Sequence, residues 1–310
     1  MKIGGLVRLA EDLGAGDAPN GRCPSYAEIR HVAQQMEDAG FDAIWLADHL
    51  LYRRPGHPTM GIWECWTMLS ALAEATQRIA LGTSTLCSSF RNPALLAKMA
   101  VSLDEVSGGR LIFGIGAGWN EPEYRAFGLP FDRRVDRFEE ALQIITPLLR
   151  QGRVDFEGRY YTARDCELAP RGPRAGGPPI LIGAFQPRMM RIAARHADVW
   201  NSGYFATVDT FTDSRAAFES ARSEVGAAAA NVEVSALLKV GWSDLGELPG
   251  FFSDGYLTGT ADEIAAALRG YQESGVAHVI CQYHPNVPAA LERLIDAVQA
   301  FRRSTPVNST

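Results

Sequence analysis

Apolar residues recur along this chain in two alternating rhythms. Short uninterrupted runs predict buried strands, and longer stretches spaced at i, i+3, i+4 and i+7 predict helices. Ile3 to Val7 reads as a strand. Ser25-Tyr-Ala-Glu28 is a capping box, in which the serine and glutamate side chains each satisfy the other's backbone N–H, and it opens a helix with Ile29, Val32, Ala33 and Met36 on one face. Gly40 closes that helix. Ala43 to Leu46 is too short, and too abruptly ended by Asp48-His49, to be anything but a second strand.

The alternation continues. Helical spacing over Gly61 to Ala75 (Ile62, Trp66, Leu69, Leu72 or Ala73) precedes a β-branched run, Ile79 to Leu86, which reads as strand three. Asn92-Pro93 starts a helix, with proline in the first turn where its missing N–H costs nothing, and the face Leu95, Leu96, Met99, Leu103 ends at Gly108-Gly109. Leu111 to Ile115 is strand four, delivering a glycine-spaced turn and a Trp-containing loop that runs to Gly128. The next helix carries Val135, Phe138, Leu142, Ile145 and Leu149, with Pro147 as a kink or early stop. Residues 152 to 177 break the rhythm; rich in Gly and Pro, with a hairpin over Phe156 to Thr162, they are an insertion. Strands five to eight fall at Pro179–Gly183, Ala197–Asn201, Val232–Val240 and Val276–Gln282, and a second capping box, Thr260-Ala-Asp-Glu263, opens the helix before the last of them.

Eight strands separated by helices, with no linker-like break, predict an α/β fold of the (β/α)8 TIM-barrel type over residues 1–310 as one domain, with the insertion between strands 4 and 5. An open doubly wound sheet is the rival on spacing alone. In a barrel the site lies at the carboxyl ends of the strands. Those ends carry Arg8 and Glu11; Asp48 and His49; Leu86, Cys87 and Ser88; Gly116, Ala117, Gly118 and Trp119; Gly183, Ala184, Phe185 and Gln186; Trp200 and Asn201; and Gln282, Tyr283 and His284.

Composition narrows the function classes. Apolar residues make up 46% and charged residues 21% of 310, so there is material for a sizeable core and no signature of disorder. The net charge of −6 and the lack of any concentrated basic segment argue against nucleic acid; the cluster Arg171 to Arg174 is broken by Gly and Pro and reads as a solvated loop. Five scattered cysteines without C-x-x-C spacing argue against a disulfide framework and against structural zinc. With no charged-then-apolar leader pattern after Met1 and no apolar run of 18 residues, the expected location is a reducing cytoplasm away from membranes.

The chemistry-bearing residues follow. Gly114-Ile-Gly-Ala-Gly118 suggests a dinucleotide fingerprint, but G-x-G-x-x-G requires glycine at position 119, where this chain has Trp. The glycines then either let a flat ligand approach the backbone beside Trp119, or form a tight turn with a packed tryptophan. His49, after a carboxylate at a strand end, is either a proton donor and acceptor for a bound ligand or a structural histidine. No nucleophile elbow, Walker loop, H-E-x-x-H or metal-ligand spacing is present, so a barrel holding an organic cofactor, without metal, is the best generic reading.

Several segments, in this order, resemble one family. They are Gly40-Phe-Asp-Ala-Ile-Trp-Leu-Ala-Asp-His49, Arg91-Asn-Pro-Ala-Leu-Leu-Ala-Lys98, Ser107 to Trp119, Pro179-Ile-Leu-Ile-Gly183 with Arg188, Ala197-Asp-Val-Trp-Asn201, and Gly259-Thr-Ala-Asp-Glu263. The chain is similar over nearly its whole length to the bacterial luciferase-like flavin- and F420-dependent oxidoreductases, most closely to the F420-dependent branch.

The resemblance implies a deazaflavin (coenzyme F420) or, alternatively, FMN in the barrel mouth, beside a bulge at Leu86-Cys87-Ser88 that in the family often contains a non-prolyl cis peptide. It makes His49 the ring-side catalytic residue, Gly116 to Trp119 part of the ring seat, and Gly118, Gly183, Ala184, Phe185 and Gln186 the phosphate contacts. Two departures stand out: Ala117 where sugar-phosphate and alcohol dehydrogenases of the family carry a glutamate and luciferase an arginine, and Ala184-Phe185-Gln186 where Gly-Ser-Gly is usual, a change that crowds the phosphate pocket. The expected activity is hydride transfer to or from a small organic substrate. The alternatives are a two-component FMN monooxygenase served by a separate cofactor reductase, and a non-catalytic cofactor-binding barrel. By the same resemblance the chain is a homodimer through the helices at Trp63 to Leu72 and Leu95 to Leu103.

Overall fold

The computed structural model describes residues 1–12, 21–226, 231–250 and 255–304. In chain order the strands are β1 (Lys2–Leu6), β2 (Ala43–Leu46), β3 (Ala80–Thr83), β4 (Leu86–Cys87), β5 (Leu111–Gly116), β6 (Arg153–Glu157), β7 (Thr162–Glu167), β8 (Ile180–Gly183), β9 (Val199–Tyr204), β10 (Glu233–Gly241) and β11 (His278–His284). The helices are α1 (Tyr26–Asp38), α2 (Cys65–Ala75), α3 (Pro93–Val106), α4 (Glu121–Phe127), α5 (Arg134–Gln151), α6 (Pro187–His196), α7 (Val208–Val225), α8 (Ala261–Glu273) and α9 (Pro288–Ser304). Parallel neighbours run β3-β2-β1-β11-β10-β9-β8-β5, and β3 pairs again with β5, which closes an eight-stranded barrel. The chain is therefore an α/β TIM barrel. The antiparallel β6–β7 hairpin stands outside the ring, between the fourth and fifth barrel strands.

Two layers of core result from strands buried on both faces. Leu6, Ala43, Trp45, Ala80, Ile112, Leu181, Val199, Tyr204, Leu237 and Ile280 form the inner cluster, two each from β2 and β9 and one from each other barrel strand. Trp45 is its largest member, and it fits because its neighbours lack side chains: a Cβ at Gly4 or Gly82 would collide with the indole. The outer layer packs strands against helices, with Phe113, Phe138, Trp200, Phe211 and Phe218 fully buried. No helix among the described residues is long and apolar enough to cross a membrane.

Both capping boxes form as the sequence predicts, at Ser25/Glu28 and Thr260/Glu263. Four expectations are corrected. The helix predicted from Gly61 begins at Cys65, because Ile62 bridges to Ala10 and the Glu64 carboxylate caps the N–H groups of Trp66 and Thr67. The run Ile79 to Leu86 is broken: β3 ends at Thr83, the Ser84–Thr85 peptide is cis, and pairing with β5 resumes at Leu86. The cis bond expected at a bulge over Leu86-Cys87-Ser88 therefore falls earlier, and Leu86–Cys87 is a strand paired with β5 instead. Pro147 does not stop its helix, which runs on to Gln151. Finally, the loop expected after strand four contains α4, closed by Gly128 in the left-handed conformation (φ 69°).

Candidate active site at the barrel mouth

The first wall of the mouth is built from the ends of β2, β3/β4 and β5. Asp48, fully buried, accepts the Cys87 N–H (2.9 Å) and both arms of the Arg91 guanidinium (2.7 and 3.0 Å), while Arg91 also pairs with Glu64. A buried carboxylate needs such partners, and here they fix β4 at the strand end. The Thr83 hydroxyl donates to the Gly114 carbonyl (2.7 Å) and accepts the Gly114 N–H (3.0 Å), stitching β3 to β5 where the ladder is interrupted.

His49 lies on this wall. Its Nδ1 is 3.0 and 3.3 Å from the two carboxylate oxygens of Glu123, which also accepts the Leu50 N–H at 2.8 Å. The Glu123 side chain is 2% exposed. Nδ1 is thus engaged by the carboxylate, and Nε2 is left for other partners. The imidazole is held between Tyr52 (centroids 4.3 Å) and the edge of Trp119 (5.5 Å).

Beneath it, Tyr124 donates its single proton to the Ala117 carbonyl (3.0 Å), so the 2.7 Å contact between Cys87 Sγ and the tyrosine oxygen has the thiol as donor. Burial pushes the Cys87 thiol up to about 12, which keeps that proton in place at neutral pH. Cys87 is thus a hydrogen-bonded part of the wall. All five cysteines are free.

The glycines of the strand-four turn serve this packing. A Cβ at Gly114 would land on the Thr83 carbonyl, one at Gly116 would lie 2.9 Å from the Thr85 hydroxyl, and one at Gly118 (φ 75°) would strike the Tyr124 hydroxyl and approach Cys87 Sγ. The close approach they permit is that of the protein's own atoms. Ala117 is buried, whereas Trp119 (46% exposed) stands at the rim. Arg134 Nε donates to the Gly118 carbonyl (3.1 Å).

At the end of β8, Gly183 is half-buried and Ala184 buried, and Phe185 (59% exposed) folds over Gly203 of β9, whose positive φ of 98° and missing side chain make room for the ring. The ring therefore turns toward β9. Gln186 precedes α6 without capping it through its side chain, and Pro187 occupies the first turn. Ser88 is buried with its hydroxyl unpartnered among the described residues. Trp200 is structural: it stacks on Phe218 (4.1 Å) and donates to the Ala184 carbonyl (2.9 Å).

The second wall comes from β1, β9, β10 and β11. Lys239 lies two residues beyond Leu237 of the inner cluster, so it points into the same lumen one layer higher. It is 3% exposed, with Nζ 4.9 Å from the Tyr204 ring centroid and 5.6 Å from that of Tyr256. The His284 ring meets Tyr256 edge-on at 5.5 Å. Burial, then the charges of Lys239 and Arg8, lower the His284 imidazole to about 4. Burial also raises the Tyr204 phenol to about 12 and Tyr52 well above the usual range. Among the described residues no group of three or more His, Cys, Asp or Glu is arranged to hold a metal ion.

Glu123, Tyr52, Tyr204, Lys239 and Tyr256 carry no local sequence pattern that marks them as site residues. Proline in the first turn and glycine at the end, Pro122 and Gly128, were the available signals for α4 and hence for Glu123.

Comparison with known proteins bears on these walls. Residues 1–247 match the family described as luciferase-like monooxygenase. The 5,10-methylenetetrahydromethanopterin reductase of Archaeoglobus fulgidus is 32% identical over 173 residues, which is 56% of this chain and 48% of that protein. The pyrimidine monooxygenase RutA of Cronobacter turicensis is 31% identical over 210 residues, 64% of this chain and 53% of the relative. The matched stretch thus spans about half the length of these curated relatives. Among solved structures, an F420-dependent secondary alcohol dehydrogenase in complex with an F420-acetone adduct superposes with a TM-score of 0.78 at 19% identity, covering 97% of this chain and 99% of that one.

Proposed function

Because the chain belongs to the luciferase-like monooxygenase family, we propose that it is an oxidoreductase moving a hydride between coenzyme F420, or alternatively FMN, and a small organic substrate. The observation that carries this reading is the His49–Glu123 pair in the mouth of a barrel of that family. Hydride added to a carbonyl carbon leaves an oxygen that must take a proton, and hydride removed from an alcohol requires one to leave.

His49 is the group for that proton. Glu123 holds Nδ1, Tyr52 and Trp119 fix the ring plane, and Nε2 accepts or returns the proton at the substrate oxygen. The bound cofactor ring supplies the hydride acceptor or donor, at C5 in F420 and N5 in FMN. The wall at Leu86, Cys87 and Ser88, with Gly116, Ala117, Gly118 and Trp119, would seat the ring. Gly183, Ala184, Phe185 and Gln186, at the start of α6, would take the phosphate, where backbone N–H groups and the helix dipole favour an anion. The residues fit such a group in two respects: the buried Ser88 hydroxyl needs a partner, and Phe185 is turned aside over Gly203. Ala117 supplies no carboxylate or guanidinium there, so the proton work rests on His49.

The outer faces of α2 and α3 leave Leu95 and Val106 exposed beside a groove of about 270 Å³ that includes Trp66 and Met99, with Trp63 exposed just before α2. We propose that a second copy covers it, giving a homodimer in a reducing cytoplasm.

Titration with F420 and FMN, each oxidised and reduced, tests the assignment. F420 binding supports it; binding of neither removes the enzyme reading, and tight binding of reduced FMN alone points to a monooxygenase working with a separate reductase. His49→Ala should lower turnover about 100-fold while cofactor affinity stays within a few fold, and Glu123→Gln about ten-fold. Unchanged turnover in His49→Ala would show that the proton passes elsewhere.

A further inference from the structure

Tyr52, three residues after His49, carries a hydroxyl that the proton chemistry proposed at His49 does not use. The segment leading to it is tied down residue by residue. Glu123 takes His49 Nδ1 and the Leu50 N–H, the Asn120 side-chain amide donates to the Leu51 carbonyl (2.9 Å), and Tyr52 exchanges two backbone hydrogen bonds with Met60 (3.1 and 2.8 Å). The Tyr52 ring is placed as well, against His49 at 4.3 Å between centroids and near Trp119 at 6.4 Å. Its hydroxyl, however, makes no hydrogen bond among the described residues.

A phenol held in this way is costly until it finds a partner, because its surroundings strip water from a polar group. Burial raises the Tyr52 phenol well above the usual range, and Tyr204 and Glu123, both within electrostatic reach, add to the rise. Tyr52 is therefore neutral at physiological pH and has one proton to donate. Glu123 belongs to the wall of His49 and Tyr204 to the opposite wall, on β9, so the phenol stands where the two meet, beside the imidazole.

We propose that Tyr52 is a second catalytic residue, donating its phenolic hydrogen bond to the same substrate oxygen that exchanges a proton with His49 Nε2. The proposal rests on the oxidoreductase reading and narrows its substrate to a carbonyl compound and the corresponding alcohol. An oxygen at the reacting carbon has two lone pairs to meet two groups: a carbonyl accepts from both, and an alcohol accepts from Tyr52 while donating to Nε2. An imine nitrogen has one lone pair and an alkene carbon none, so with those substrates one of the two groups is left unpaired. In the reducing direction hydride from the reduced ring forms a C–H bond at the carbonyl carbon, which gains the two electrons the ring loses. The C–O π pair moves to oxygen, and the Nε2–H bond breaks as that oxygen takes its proton. Tyr52 keeps its own proton and stabilises the charge that develops on oxygen.

Acetone and acetophenone, each isotope-labelled at the carbonyl, test the assignment, with α-methylstyrene as the isostere of acetophenone that lacks the oxygen. Each is added to the wild-type protein, Tyr52→Phe and His49→Ala, with and without oxidised F420 or FMN, and read by infrared difference spectroscopy and calorimetry. In wild type at least one ketone should show its carbonyl stretch below the frequency it has in water. Tyr52→Phe should lose most of that shift and bind acetophenone about five-fold more weakly, with α-methylstyrene unchanged within about two-fold. His49→Ala should keep the Tyr52 share of the shift. With reduced F420 or FMN, ketone reduction should be about 100-fold slower in Tyr52→Phe than in wild type. Because the variant removes an oxygen without a protein partner, its melting temperature should match the wild type; a clear drop would assign the hydroxyl to the fold and overturn the proposal. So would a wild type that shifts neither carbonyl, a shift of the same size in Tyr52→Phe, or equal reduction rates, absence of reduction included. Cofactor binding without a carbonyl shift defeats the role of Tyr52 alone; a Tyr52-dependent shift in a protein that binds neither F420 nor FMN defeats the oxidoreductase reading and leaves a carbonyl-binding pocket.

Discussion

The two walls of the mouth are held in opposite ways. On the β2/β3/β5 side the named polar groups are chiefly tied to protein: Asp48 to Cys87 and Arg91, Glu123 to His49 and Leu50, Cys87 to Tyr124, Tyr124 to Ala117. On the β10/β11 side the named contacts of Lys239 are the faces of aromatic rings. Hydrogen bonds of fixed geometry position a group to within a fraction of an ångström, as proton transfer demands, whereas ring faces tolerate a range of approach, as recognition of a ligand allows. The difference separates a wall fixed by hydrogen bonds from one whose named contacts are ring faces.

The strongest way to break the first wall is Gly114→Ala. Its methyl would meet backbone at Thr83, which has no alternative rotamer, so a loss of about 3–5 kcal/mol in urea-measured stability, or no soluble protein, is expected. Asp48→Ala comes next. It leaves Arg91 with Glu64 alone and strands the Cys87 N–H, at a cost of about 3 kcal/mol. If Lys239→Met costs as much, the contrast between the walls is lost.

The second wall responds to acid. The unfolded chain takes up a proton at His284 near 6.5, but the folded chain refuses it until about 4, so between those values the unfolded state binds more protons. Stability is then unaffected above about 6.5 and falls as pH drops, by at most roughly 3 kcal/mol near pH 4. Burial lowers His196 and His278 too, so His284→Gln is needed to isolate this share. An acid limb identical in His284→Gln and wild type would assign the effect to those other histidines. Smallest is Tyr124→Phe, which removes the acceptor of the Cys87 thiol and the donor to Ala117, for about 1 kcal/mol by thermal melting.

Much of this was legible in the chain. Strand runs, helical spacing and two capping boxes set out the barrel because each is a local signal, and His49 stood out by its place after β2. What stayed hidden shares one property: it depends on contacts distant in sequence. The buried residues of α4 are Glu123 and Tyr124, so its inner face carries no apolar stripe, and Glu123 acquires meaning only beside a histidine 74 positions away. Lys239 sits in a run of apolar strand residues, where alternation cannot distinguish lumen from helix layer when both are buried. The glycines of strand four were legible as a place of close approach, but not as to what approaches.

Trp45 has a consequence for where a ligand rests. With its indole wedged between Gly4 and Gly82, and Leu181, Leu237 and Ile280 packed around it, the lumen is a cup with a sealed floor. A ligand at the carboxyl ends of the strands therefore rests on that floor, and the mouth is the side from which the described loops frame it.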